Sequence, residues 1–367
     1  MFCGYNGGMR KTIALAMLAI PLVIAGSEAS DEASSRSPKN AAGYLDQRAD
    51  WWMGWKSSQR DHDTFCISCH TALPYALGRP ALRAALEEKT PSSGERQLLA
   101  NVTKRVRIWS EALPFYSDEA RGAPKTAESR GTEAVLNALI LVSYDPKLND
   151  DTKLALQNMW SLQLKTGEQK GAFTWLNFHN EPWEADDSQY WGATLAALAV
   201  GSAPKEYQAS VPENVKLLSE YLQREQAGQS LLNRVVLLWA STKIPTLLRP
   251  EQQKAIVDEL LGKQQADGGW NASSLVLGTW KRRDSTAFPS ASDGYGTGLV
   301  SFVLEQAGMP RTSAPLKRGL TWLSQNQDKS SGLWAATSLN KERDPASDAG
   351  KFMNDAATAF AVMALKY

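Results

Sequence analysis

"RGLTWLSQNQDKSSGLW", residues 318–334, joins the end of an amphipathic helix to a polar turn that closes on Gly332, Leu333 and Trp334. The pattern recurs. "ELLGKQQADGGW" (259–270) gives Gln264 or Gln265, then Gly268, Gly269 and Trp270, and "NMWSLQLKTGEQKGAFTW" (158–175) gives Gln163, Gly171 and Trp175. A weaker echo is "YLDQRADWWMGWKSSQ" at 44–59. A glutamine amide can satisfy free backbone groups at a helix end, and a tryptophan indole offers a large apolar face. Gln325, Trp334, Gln264 and Trp270 therefore read as structural ties between successive units rather than site residues.

Outward from these turns the chain alternates two kinds of helix. One is charged and amphipathic, as in "PENVKLLSEYLQREQ" (212–226) and "PEQQKAIVDELLGKQQ" (250–265), with apolar residues at three- and four-residue steps. The other is small or apolar on every side, as in "YWGATLAALAVG" (190–201), "GYGTGLVSFVLEQAG" (294–308) and "DAATAFAVMAL" (355–365), and such a helix is buried. Gly201 and Gly308 read as helix stops. Pairing each exposed helix with the next buried one predicts six hairpins: 41–59 with 66–88, 93–112 with 128–143, 151–164 with 186–200, 211–226 with 229–242, 250–265 with 293–307, and 313–327 with 353–366. Six outer and six inner helices suit an all-α closed double ring, an α/α toroid; an open solenoid is the alternative.

The repeated turn resembles the QW motif of the squalene cyclase and protein prenyltransferase superfamily. The resemblance covers most of residues 40–367 and implies that each Gln binds the next turn's backbone while the Trp packs against it. Class II terpene cyclases of that superfamily protonate an alkene with the middle Asp of D-x-D-D-T-A. "PWEADDSQYWGATLAAL" (182–198) is the nearest text, with Glu184 in place of the first Asp, Asp186 as the implied proton donor, Asp187 next and Ser188 for Thr. Crowded carboxylates hold a proton at raised pKa, and Trp183, Tyr190 and Trp191 could stabilise a cation. The same residues are equally what a helix start asks for: Asp293 and Asp355 stand ahead of other inner helices, where an N-cap or first-turn Asp is favoured. Glycosidase-type acid–base work by Glu184, Asp186 and Asp187 is a weaker variant, since no carbohydrate motif singles them out.

The N-terminus reads as a targeting segment. Arg10 and Lys11 precede "TIALAMLAIPLVIAG" and then small and polar residues, the marks of a secretory signal cleaved near Ala29. Residues 30–40 read as a polar linker and 41–367 as one domain. Loss of Arg10, Lys11 and Glu28 brings the 40 basic and 39 acidic residues of the 367-residue chain to equality, so no footprint for nucleic acid remains. No transmembrane segment is expected after cleavage, and the location is periplasmic or secreted.

Cys3 leaves with the signal, so Cys66 and Cys69 are the remaining cysteines, in "DTFCISCHTALPYAL" (63–77). C-x-x-C-H accepts a covalent c-type haem: both thiols add to the vinyl groups and His70 becomes the proximal iron ligand. The spacing reads as one helical turn. A zinc site of Cys66, Cys69 and His70 with His62 or His179, a Cys66–Cys69 disulfide, and two plain buried cysteines are the other readings. Met53 or His179 could be a second axial ligand, or the iron could be five-coordinate. "CISCHTALPYALGRPAL" (66–82) also resembles a group of exported bacterial proteins in which C-x-S-C-H precedes Leu-Pro and an Ala/Leu helix within squalene-cyclase-type repeats. The expectation is an exported toroid carrying haem c, serving electron transfer with a redox partner protein, its central cavity able to hold an apolar small molecule. An isoprenoid cyclase working through Asp186 and a non-catalytic ligand-binding scaffold are the competing expectations.

Overall fold

The structure, a computed structural model, describes residues 36–116 and 122–366. The expected signal segment and most of the linker lie outside these residues. The described chain is all-α apart from one small hairpin. Its thirteen α-helices are α1 (Pro38–Gly54), α2 (Ala72–Ala85), α3 (Ser93–Arg107), α4 (Gly122–Tyr144), α5 (Asp150–Ser161), α6 (Ser188–Ser202), α7 (Lys205–Ser210), α8 (Pro212–Glu225), α9 (Leu231–Ser241), α10 (Pro250–Gly262), α11 (Gly294–Gln306), α12 (Ala314–Gln325) and α13 (Phe352–Leu365). None is long and apolar enough to cross a membrane.

Local chemistry sets the helix starts. Ser37 caps α1 by accepting from Asn40 N, Ser92 and Glu95 form a reciprocal capping box on α3, and Asn149, Ser230 and Asp293 cap α5, α9 and α11. The linker expected over 30–40 therefore gives way to helix at Pro38. The helix stops are less uniform. Gly308 ends α11 at φ +91°, as expected, but α6 runs through Gly201 to Ser202. Gly201 instead leaves room for the segment after α9, since a Cβ there would lie 2.6 Å from that of Lys243.

Helices α2, α4, α6, α9, α11 and α13 are buried on almost every side, as their composition predicts. Each packs on the next in this order, and α13 returns to α2. Small residues permit the closest of these approaches: a Cβ on Gly298 of α11 would sit 2.8 Å from Ala361 N, and one on Gly78 of α2 would touch Ala359 Cα at 3.0 Å. The alanine-rich face of α13 is wedged between the two.

The remaining long helices lie outside and are tied by glutamines. Gln163 Nε2 donates to Gly171 O (3.1 Å) and to Asn214 O (2.9 Å) at the start of α8. Gln264 Nε2 donates to Gly268 O and to Pro315 O on α12, both at 2.8 Å. In the last repeat Gln327, not Gln325, does this work, donating to Gly332 O (2.9 Å) and to Ser37 O (3.1 Å) at the cap of α1. Gln325 is exposed because the helix ends there; two residues later the chain has turned inward. The tryptophans complete the ties: Trp270 Nε1 donates to Leu260 O and Trp334 Nε1 to Leu323 O, each at 2.7 Å, and both rings are fully buried.

Candidate functional site

The Cys66–His70 stretch is not a helical turn. α1 stops at Gly54, and strands β1 (Gln59–Arg60) and β2 (Thr64–Phe65) form a tight hairpin whose loop places His62 and Asp63 at φ +56° and +51°. Cys66 to Ser68 continue from β2 without helical structure, and the helix expected over 66–88 begins only at Ala72. Backbone bonds explain the difference. Cys66 N donates to Ser58 O (2.9 Å), Cys66 O accepts from Trp52 Nε1 (2.8 Å), and the Asn101 amide pairs with both Phe65 N and Phe65 O at 2.9 Å. These contacts hold the chain extended until Ser68 Oγ accepts from Thr71 N (3.2 Å) and Ala72 N (3.0 Å) and opens α2.

Cys66 and Cys69 are buried free thiols. Burial pushes the Cys66 thiol up to about 11 and that of Cys69 well above the usual value, so both are protonated at neutral pH. His70 is stacked on Phe352 (ring centroids 3.6 Å apart) and meets the edge of Trp52 at 4.9 Å. Its Nδ1 lies 2.9 Å from Thr71 Oγ1, which in turn donates to Asp355 Oδ2 at 2.6 Å. The carboxylate also accepts from Tyr44 OH (2.8 Å) and Arg48 Nε (2.9 Å). A threonine has one hydroxyl hydrogen, and here it goes to Asp355. The oxygen must therefore accept from Nδ1–H, which leaves the Nε2 lone pair of His70 free. Burial, reinforced by Arg48 and Arg343, pushes His70 down to about 3, so the imidazole is neutral.

His70 and Cys69 line a cavity of about 120 Å³. Trp183, Glu181 and Glu184 come from the loop before α6, Phe352 and Met353 from the start of α13, and Asn340 and Arg343 from the loop ahead of it. Two parts of the sequence singled out separately thus meet here, C-x-x-C-H and the acidic stretch 181–187. Of the expected acids, Glu184 is raised, whereas Asp186, the implied proton donor, is not. Burial raises Glu184 to about 7 and, with the charges of Asp187 and Asp186, raises Glu181 to about 8. Asp186 is exposed, accepts from Asn177 Nδ2 (2.9 Å) and His179 Nδ1 (2.8 Å), and is held below the usual carboxylate value by them. An exposed, hydrogen-bonded carboxylate is the opposite of a strong proton donor. Asp187 is raised by burial and accepts from Asn233 Nδ2 at 3.0 Å, outside the cavity.

The other candidate ligands do not line this cavity. Met53 is buried in α1, His179 is spent on Asp186, and exposed His62 pairs with Asp61 Oδ2 at 2.9 Å. Among the described residues no three His, Cys, Asp or Glu side chains are grouped to hold a metal, which leaves the zinc reading without a preformed donor set. The structure adds Met353, Glu181 and Arg343. A signal for Met353 was present in the sequence, two residues before Asp355, which marks the same helix start.

A pH effect follows from Glu184. The folded chain binds its proton more tightly than the unfolded chain, whose carboxyl titrates near 4.5, so stability declines as pH rises from about 4.5 through about 7. Glu184→Gln removes this decline, worth about 3 kcal/mol at full ionisation. Urea unfolding at pH 5 and pH 8 should show the variant gaining on the parent at the higher pH; parallel curves would mean that Glu184 is ionised in the fold.

No protein-family model matches the chain, and no curated protein shows significant similarity to it.

Proposed function

We propose that this chain is a squalene cyclase-like α/α toroid that binds haem c through Cys66, Cys69 and His70 and carries electrons for a redox partner protein, in a periplasmic or secreted setting. The return of α13 to α2 and the Gln327 bond to the cap of α1 support closure of both helix rings. The observation that carries the haem reading is the His70–Thr71–Asp355 chain, which fixes a neutral imidazole with Nε2 unprotonated, as an iron ligand requires.

The residues present fit such a group. Cys66, Cys69 and His70 have the attachment spacing; Cys69 and His70 line the cavity with Met353 and the Arg343 cation, and Cys66 is buried outside that lining. The space beside His70 is small, but Ser338 and Arg343 also border a neighbouring cavity of about 570 Å³, and cofactor pockets commonly span about 300–1,000 Å³. Bound haem supplies one-electron redox chemistry. The chain's own part is to orient His70 through Thr71, Asp355 and Arg48, to keep water off it with Trp52 and Phe352, and to hold protons nearby on Glu181 and Glu184.

The test is production in a host that matures c-type cytochromes, followed by denaturation. Haem should stay with the chain, and Cys66→Ser with Cys69→Ser should abolish that retention. A chain that matures in the same host without covalent haem would sink the reading.

A further inference from the structure

We infer that the two cavities meeting at Arg343 form a binding site for a small molecule with an apolar body and one carboxylate, and that Arg343 pairs with the acid. Three of the four buried arginines have carboxylate partners: Arg48 with Asp355, Arg79 with Asp46 and Glu88, Arg105 with Glu133; the fourth, Arg282, lines the larger cavity. Arg343 is half-buried between the cavities, and among the described residues it makes no ion pair and no hydrogen bond. The guanidinium is partly withdrawn from water with no counter-charge beside it, and that desolvation lowers its proton affinity.

Independent features of the walls agree. Arg282, 5 % exposed on the larger cavity, donates only to Ser338 O, Ala287 O and Thr286 Oγ1, which adds a second positive charge without a carboxylate. Asn340, 6 % exposed on the smaller cavity, donates to Asn180 Oδ1 but leaves its own Oδ1 unpartnered, an acceptor for a ligand hydroxyl or N–H. The acids on the walls do little to neutralise Arg343. Burial holds Glu181 largely protonated near neutrality and leaves Glu184, raised to about 7, only part ionised; Asp293 is engaged by Gly296 N and Ala272 N, and Glu342 is exposed. Trp183, Phe352 and Met353 supply the apolar surface.

The carboxylate has two possible sources, a propionate of the proposed haem or a free organic acid. The haem arm rests on the preceding proposal, and the free-acid arm stands without it. For the free acid, the full chain with Cys66→Ser and Cys69→Ser is titrated calorimetrically with benzoate and with neutral benzamide. Benzoate should bind, benzamide should not, and Arg343→Gln should weaken benzoate at least tenfold while Arg343→Lys restores part of the affinity. For the propionate, haem-loaded chain is compared with its Arg343→Gln and Arg343→Lys forms. A changed midpoint potential in the glutamine form that lysine reverses supports this source. If benzoate and benzamide behave alike and the potential ignores Arg343, the inference is overturned. If no covalent haem forms, the benzoate arm alone decides it.

Discussion

Arg105→Ala should lower the unfolding free energy by about 3–5 kcal/mol, because it strands a buried carboxylate. Arg105 on α3 and Glu133 on α4 are both fully buried and joined at 2.6 and 3.1 Å. The same guanidinium donates to Thr64 Oγ1 (2.7 Å) in β2 and to Leu113 O (2.6 Å), so it also anchors the hairpin that delivers Cys66. Burial already raises Glu133 despite its partner, and removing Arg105 raises it further. Part of the loss should therefore return on acidification from pH 7 to pH 5, where the carboxyl protonates. A double variant, Arg105→Leu with Glu133→Leu, should recover most of it. Urea unfolding of the three chains at both pH values checks this, and an equal loss in the single and double variants would show that the stranded charge is not the cause.

Trp334→Ala is expected to cost a similar amount, about 3–5 kcal/mol, by a different route. The indole is fully buried, its Nε1–H satisfies Leu323 O at the end of α12, and its backbone N donates to Thr358 Oγ1 (3.1 Å) on α13. Truncation leaves a cavity and an orphaned carbonyl together. Trp334→Phe separates the two, since it keeps most of the apolar volume and loses the donor; about 1–2 kcal/mol should remain. If phenylalanine costs as much as alanine, the hydrogen bond rather than the packing carries the position.

The alternation of charged and apolar helices was legible because a buried helix has little choice of composition, and all twelve expected helices are present. The expected pairing holds less well, since α5, α8 and α10 pack chiefly on the buried helix before them, α4, α6 and α9, rather than on the one after. The starts of the first two inner helices differ most, α2 opening six residues later than expected and α4 six residues earlier. Phe65, Cys66 and Ile67 are apolar enough to extend α2 backwards, but Asn101, thirty-five residues downstream of Cys66, claims the backbone of Phe65 instead. The tie of the last repeat was misplaced for a related reason: "SQNQ" offers glutamines at 325 and 327, and only the end of α12 decides between them. Cys69, His70 and Glu184 were each visible, but their meeting in one cavity depends on packing across more than a hundred residues. Asp186 was legible as an acid and not as an exposed one, because exposure is set by the loop partners Asn177 and His179.

Asp355 imposes an order of events. It lies in α13, the last described helix, yet its carboxylate fixes Tyr44 and Arg48 of α1 and, through Thr71, the imidazole of His70. Phe352 and Met353 of the same helix cover that imidazole and its cavity. A chain growing from its N-terminus presents Cys66, Cys69 and His70 long before the helix that shuts them in has been made. Thiols that are sealed in the finished molecule are thus open to chemistry during assembly, and the C-terminal helix acts as the closing stroke.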